Sequence, residues 1–162
     1  MSQRIRKAWE VSTTWSREDN EWDWIWAETA SKARYAFKLI IGDCYDDIEF
    51  SDIHVRRAKH HDLVLPAEHR LVAELSDEER DIILHAFAAD HKREPGYRDH
   101  YCTSPSDSRL HRLAWELGLF SGPHGQETGY GDVKGWCGVF YYLTDLGKHV
   151  ALSMMPTYGS VS

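Results

Sequence analysis

The 162 residues carry 19 Lys and Arg against 26 Asp and Glu, a formal charge of -7, with 42% hydrophobic and 12% aromatic residues. That composition supports a packed core and excludes a disordered chain, and the length suits one domain or two small ones. The acidic surplus is shared, 11 basic against 14 acidic residues over Met1–Leu75 and 8 against 12 over Ser76–Ser162, so neither half is a basic nucleic-acid footprint.

The amino-terminal stretch MSQRIRKAWEV has basic residues but no apolar run, and no segment approaches the roughly 20 apolar residues of a membrane span. A soluble, cytoplasmic protein is expected. Cys44, Cys102 and Cys137 are odd in number without a secretion signal, which points to reduced thiols.

Taken in order, Ile5, Lys7, Trp9 and Val11 alternate with Arg6, Ala8, Glu10 and Ser12, predicting one strand. After the polar stretch Ser12–Asn20 the run WDWIWAE resumes the two-residue period. Trp22, Trp24 and Trp26 share one face and Ile25 and Ala27 the other, so this strand is expected to be central in its sheet. Thr29 or Ser31 then caps a helix with Ala33, Ala36, Phe37, Ile40 and Ile41 on one face, stopped at Gly42. FSDIHVRRA alternates again and closes a ββαβ unit over residues 1–62.

Residues 63–75 connect, with Pro66 opening a short helix AEHRLVAEL. A second section, 76–156, begins at the capping box Ser76 to Glu79, whose helix carries the stripe Ile82, Ile83, Ala86 and Phe87. The polar run KREPGYRDHYCTSPSD leaves room for only a turn or so of helix around Arg98–Thr103. A short helix from Ser106 or Asp107 to Leu117 puts Leu110, Leu113, Ala114 and Leu117 inward and stops at Gly118. Six glycines between Ser121 and Gly138 predict an irregular hairpin tip. VFYYL reads as a strand, and Thr144 caps a last helix with Leu146, Val150, Ala151 and Met154 on one face, ended by Pro156 before the tail 157–162. The expected fold is therefore α+β, an N-terminal ββαβ unit packed against a C-terminal winged-helix-like unit.

Chemistry-bearing groupings are sparse. His100 and Cys102 are two apart and His60, His61 and Asp62 are contiguous, but neither has the paired spacing of a structural zinc site. Cys102 or Cys137 with His100, His111 or His124 lacks any feature that would lower a thiol pKa or supply an oxyanion hole. Gly129-x-Gly131 is followed by no helix that could meet a phosphate. No catalytic residue, metal or cofactor is therefore expected.

LHRLAWELGLF and YYLTDLGKHVAL resemble the end of the third helix, the wing strand and the following helix of winged helix-turn-helix proteins of the MarR and PadR type. Those families show Leu-x-x-Leu-x-x-x-Gly-Leu followed by Tyr-x-Leu-Thr-x-x-Gly. KARYAF, DIHVRRA, YRDHYCT and LTDLGKHVA also resemble small uncharacterised proteins encoded by tailed phages and prophages. The first resemblance implies a contact face of Arg109, His111 and Arg112, with Lys134 and Arg98 adding charge. It departs from a DNA-reading winged helix in its reduced second helix and in Asp107 and Glu116 beside the arginines. Two or three arginines fall short of the roughly six to ten phosphate contacts of tight binders.

A second positive patch is expected from Lys32, Arg34 and Lys38, off the apolar face of the first helix, with Arg56 and Arg57 after the third strand and Tyr35 for stacking. The tryptophans are expected to pack in the sheet core, except Trp15, which lies in a polar loop and suits a partner anchor. The functional expectation is a non-enzymatic phage-type accessory protein, cytoplasmic in the host cell, that binds protein or nucleic acid. The alternative is an acidic inhibitor of a host nucleic-acid enzyme or defence complex, in the manner of anti-CRISPR proteins.

Overall fold

The computed structural model describes residues 4–15, 21–42, 44–45, 47–89, 95–124 and 138–157. The described residues form a mixed α+β structure with three small antiparallel sheets, and the chain divides into two compact units, Met1–Leu65 with Pro156–Ser162 and Pro66–Met155. No helix among the described residues is long and apolar enough to cross a membrane.

In the first unit the predicted opening strand is two strands, β1 (Arg4–Arg6) and β2 (Ala8–Thr13). The break falls at Lys7 because the partner changes there. β1 pairs with β5 (Leu63–Leu65), whereas β2 lies between β3 (Asp23–Trp26) and β4 (Ile53–Arg57). Alternation of side chains continues through such a switch, so the pattern alone does not reveal it. β2 is thus the central strand and β3 an edge, the reverse of the expectation. The outer apolar surface of β3 is covered by rings rather than by another strand, since Trp24 stacks on His61 at 4.6 Å and Trp26 Nε1 donates to the His61 carbonyl at 3.0 Å.

The helix α1 (Ala30–Gly42) follows, and its cap is Thr29, whose hydroxyl accepts from Lys32 N at 3.2 Å. Ala33 and Phe37 pack with Val11, Ile25, Ala27, Ile48 and Ile53 into one core. Ala36 and Ile41 border that core, but Ile40 does not reach it and is exposed. The apolar stripe is narrower than the sequence predicts because a three-stranded sheet cannot cover more of the helix. Phe50–Asp52 form a 3-10 turn before β4 rather than part of it.

In the second unit the connecting helix expected after Pro66 is only a 3-10 turn, Arg70–Glu74, capped by His69. α2 (Asp77–Ala86) opens on the capping box, with Ser76 Oγ accepting from Glu79 N at 3.2 Å and Glu79 Oε2 from Ser76 N at 2.9 Å. The predicted helical turn near Arg98–Thr103 is instead strand β6 (His100–Thr103), because β8 (Val139–Leu143) offers it a complete ladder. α3 (Ser108–His111) is capped by Asp107 and runs into wider π-helical turns over Arg112–Glu116. Gly118, at φ 66°, provides the left-handed stop.

β7 (Phe120–His124) extends the regular structure into the region expected to be an irregular tip, with its register disturbed between Ser121 and His124. Residues 125–137, including Gly129, Gly131, Lys134 and Cys137, lie outside the described residues. β8 is the middle strand of β6-β8-β7, and α4 (Asp145–Met154) follows the cap at Thr144. Its buried positions are Gly147, Val150, Ala151 and Ser153, while the predicted core residue Leu146 is exposed. Ile83, Leu110, Leu113, Leu119, Tyr141, Val150 and Met155 form the most deeply buried part of this unit.

Candidate binding site

The arginines of the expected contact face are engaged within the fold. Arg109 pairs with Asp107 at 3.0 Å and Glu78 at 3.3 Å. Arg112 pairs with Glu79 at 2.5 Å, approaches Glu116 at 3.8 Å and donates to the Glu74 carbonyl at 3.2 Å. The hydrogen bond from Arg109 dominates at Asp107, holding its carboxyl at about 2 against the opposing effect of burial. Burial likewise opposes ionisation of Glu79, and the bonds from Arg112 and Ser76 N outweigh it, so its pKa is lowered. These arginines neutralise local carboxylates before they can neutralise phosphates.

His111 stacks on the exposed Trp115 with ring centres 4.2 Å apart, and its Nε2 lies 2.9 Å from the Pro105 carbonyl. Arg98 donates to the His85 carbonyl, and its Nε is buried with no partner among the described residues. Lys134 lies outside the described residues. Cys102 offers no activated thiol, since burial raises its pKa.

The second predicted patch is also mostly spoken for. Lys32 pairs with Glu28 and Arg56 with Glu10, while Arg57 pairs with Asp62 at 2.5 Å and donates to the Ala8 carbonyl at 2.6 Å. Arg34 Nε donates to the Ile53 carbonyl at 3.1 Å. Lys38 lies 4.6 Å from the centre of the Phe50 ring. Charge is therefore not the property that distinguishes this surface.

What distinguishes it is uncovered apolar area. Trp15, Tyr35, Leu39, Ile40, Tyr45 and Phe50 are each between 41 and 52% exposed. Tyr35, Leu39 and Ile40 belong to α1 itself. Tyr45 follows the helix and donates its backbone N–H to the Ile41 carbonyl at 3.1 Å. Phe50 stacks with Tyr35 at 6.3 Å, and Trp15 meets Tyr45 at 5.7 Å. Small clusters of exposed aromatics around one helix are characteristic of recognition surfaces rather than of solvated ones. Sequence reading singled out Trp15 and Tyr35 but assigned Ile40 to the core and passed over Leu39, Tyr45 and Phe50. The available signal was that 39, 40 and 41 are all aliphatic, one more than a helix resting on a small sheet can bury.

The fold and these residues define a two-unit α+β protein with exposed aromatic and aliphatic side chains on and beside α1. Comparison of the chain with protein-family models, with curated proteins and with solved structures gives no match.

Proposed function

We propose that the chain is a non-enzymatic accessory protein of the phage type, acting in the host cytoplasm by binding a protein through the face of α1. The observation that carries this reading is the exposure of Tyr35, Leu39, Ile40, Tyr45, Phe50 and Trp15 around one helix. Aromatic anchors of this kind dominate the energetics of protein interfaces. The net charge of -7 favours a basic partner, such as an enzyme that handles nucleic acid, through charge complementarity. Inhibition of such an enzyme is the form of the function that charge and surface together favour.

The second unit serves in this reading as a winged-helix-like scaffold. Its support is the order helix, strand, helix, strand, strand, helix, with β8 between β6 and β7 and a capped helix after the hairpin. Pairing of Arg109 and Arg112 with carboxylates weighs against a phosphate-contacting role for its short helix.

The test is co-purification from bacterial lysate with and without nuclease, comparing the native chain with Leu39→Asp. A stoichiometric protein partner that survives nuclease and is lost with Leu39→Asp is expected. An unpaired carboxylate buried in an interface costs about 2 kcal/mol or more, so affinity should fall at least ~30-fold. Recovery that depends on nucleic acid, or that ignores Leu39→Asp, overturns the reading.

A further inference from the structure

The register of the first sheet assigns its two faces. Trp9, Val11, Ile25 and Val55 belong to the face packed on α1. Side chains alternate along a strand, so Glu10, paired with Trp24 on one side and Arg56 on the other, projects from the opposite face. Over Glu10 sits the 3-10 turn Lys59–His61.

Asp62 ties that turn to β2. Its Oδ1 accepts from Ala8 N at 2.9 Å and its Oδ2 receives Arg57 at 2.5 Å. Trp26 Nε1 holds the His61 carbonyl, and the indole of Trp24 lies flat on the His61 ring, the planes only 10° apart. The His60 and His61 rings lie with their centres 4.2 Å apart.

We propose that Glu10, His60 and His61 bind a divalent first-row transition-metal ion such as Zn2+. One ligand atom from each residue lies within 4.8 Å of the other two, and His60 Nε2 is already 3.5 Å from Glu10 Oε1. A tetrahedral zinc site with bonds of about 2.0–2.2 Å needs ligand atoms roughly 3.3 Å apart, so the three need to draw together by no more than about 1.5 Å to hold an ion.

The chemistry of the set agrees with that ion. Two imidazoles and one carboxylate suit zinc over calcium or magnesium, which prefer oxygen ligands. Arg56 engages the other carboxylate oxygen of Glu10 and leaves Oε1 for the metal. That contact and the Trp24 stack are the kind of outer support that orients metal ligands. Three protein ligands leave a fourth position to water. The site lies on the sheet face away from α1, so it is separate from the proposed protein-binding surface.

The experiment is a calorimetric titration of the full chain, free of any polyhistidine tag, with ZnCl2 in a buffer that does not chelate. Co2+ absorption is recorded as a second readout. One Zn2+ per chain is expected, with His60→Ala and Glu10→Gln each weakening binding by more than about 100-fold, beyond the 10–100-fold typical of outer-shell partners. His60 is largely exposed, so its replacement leaves the fold intact, which circular dichroism verifies. A tetrahedral Co2+ spectrum that disappears in both variants supports the site. The absence of saturable binding, or binding that persists unchanged in the two variants, overturns it.

Discussion

Replacing Gly147 by Ala sets two effects of known size against each other. In an exposed helix, Gly→Ala stabilises by about 1 kcal/mol because glycine loses more conformational freedom on folding. Gly147, however, is a buried position of α4, where an added Cβ would lie 2.1 Å from the Leu119 carbonyl oxygen and 2.9 Å from Leu143 Cδ2. The first obstacle is backbone, and it is already held by Thr144, whose N–H donates to that same oxygen at 3.0 Å while its hydroxyl donates to the neighbouring Gly118 carbonyl at 2.8 Å.

The helix must move outward by about 1 Å to admit the methyl group, disturbing the packing of Val150 and Ala151. Overpacking of a close-fitted core costs about 1–3 kcal/mol, and an unyielding backbone contact belongs at the upper end. The steric effect wins, and Gly147→Ala destabilises by about 2 kcal/mol net. Urea unfolding followed by far-ultraviolet circular dichroism measures this. An unchanged or increased midpoint would refute the close approach of α4 to Leu119, and with it the structural reason for glycine in the LTDLG motif.

Other substitutions test separate parts of the fold. Ser76→Ala removes the capping hydroxyl of α2 and should lower stability by about 1 kcal/mol in the same denaturation assay. Asp107 has its carboxyl held at about 2, below its ordinary value, so its contribution is full above about pH 4 and is lost as pH falls toward 2. Asp107→Asn should lower stability at pH 7 and flatten that acid limb in pH-dependent melts; an unaltered limb would show the pairing with Arg109 to be inconsequential. Arg112→Gln strands the carboxylate of Glu79, whose side chain is only 6% exposed, so the melting temperature should fall while affinity for the partner is preserved. The opposite result, lost binding at native stability, would return Arg112 to the contact surface.

What could be read from the sequence was mainly local. Thr29, Ser76 and Thr144 declare helix starts because the hydroxyl and the backbone N–H it accepts from are three residues apart. Gly118 likewise marks a helix stop through its own backbone angle. The strands β5 and β6 were not legible, since LVL is too short to alternate clearly and HYCT has no apolar face until β8 lies beside it. The same limit applies to the sites. The Asp107–Arg109 pair spans two residues and could be anticipated, but the Arg112–Glu79 pair spans 33 and gives that arginine a carboxylate partner the sequence does not show. Glu10 comes beside His60 and His61 only after β2 and β4 align, whereas the sequence offers the contiguous Asp62, whose carboxylate is taken by Ala8 N and Arg57.

The most direct test of the central claim is photo-crosslinking in bacterial lysate after nuclease treatment. A photoreactive phenylalanine derivative is placed either at Tyr35 or at Trp115, two exposed aromatic positions in different units. Protein binding through the face of α1 predicts one discrete protein adduct from position 35 and none from position 115. An adduct from position 115 alone, or none from position 35, contradicts it.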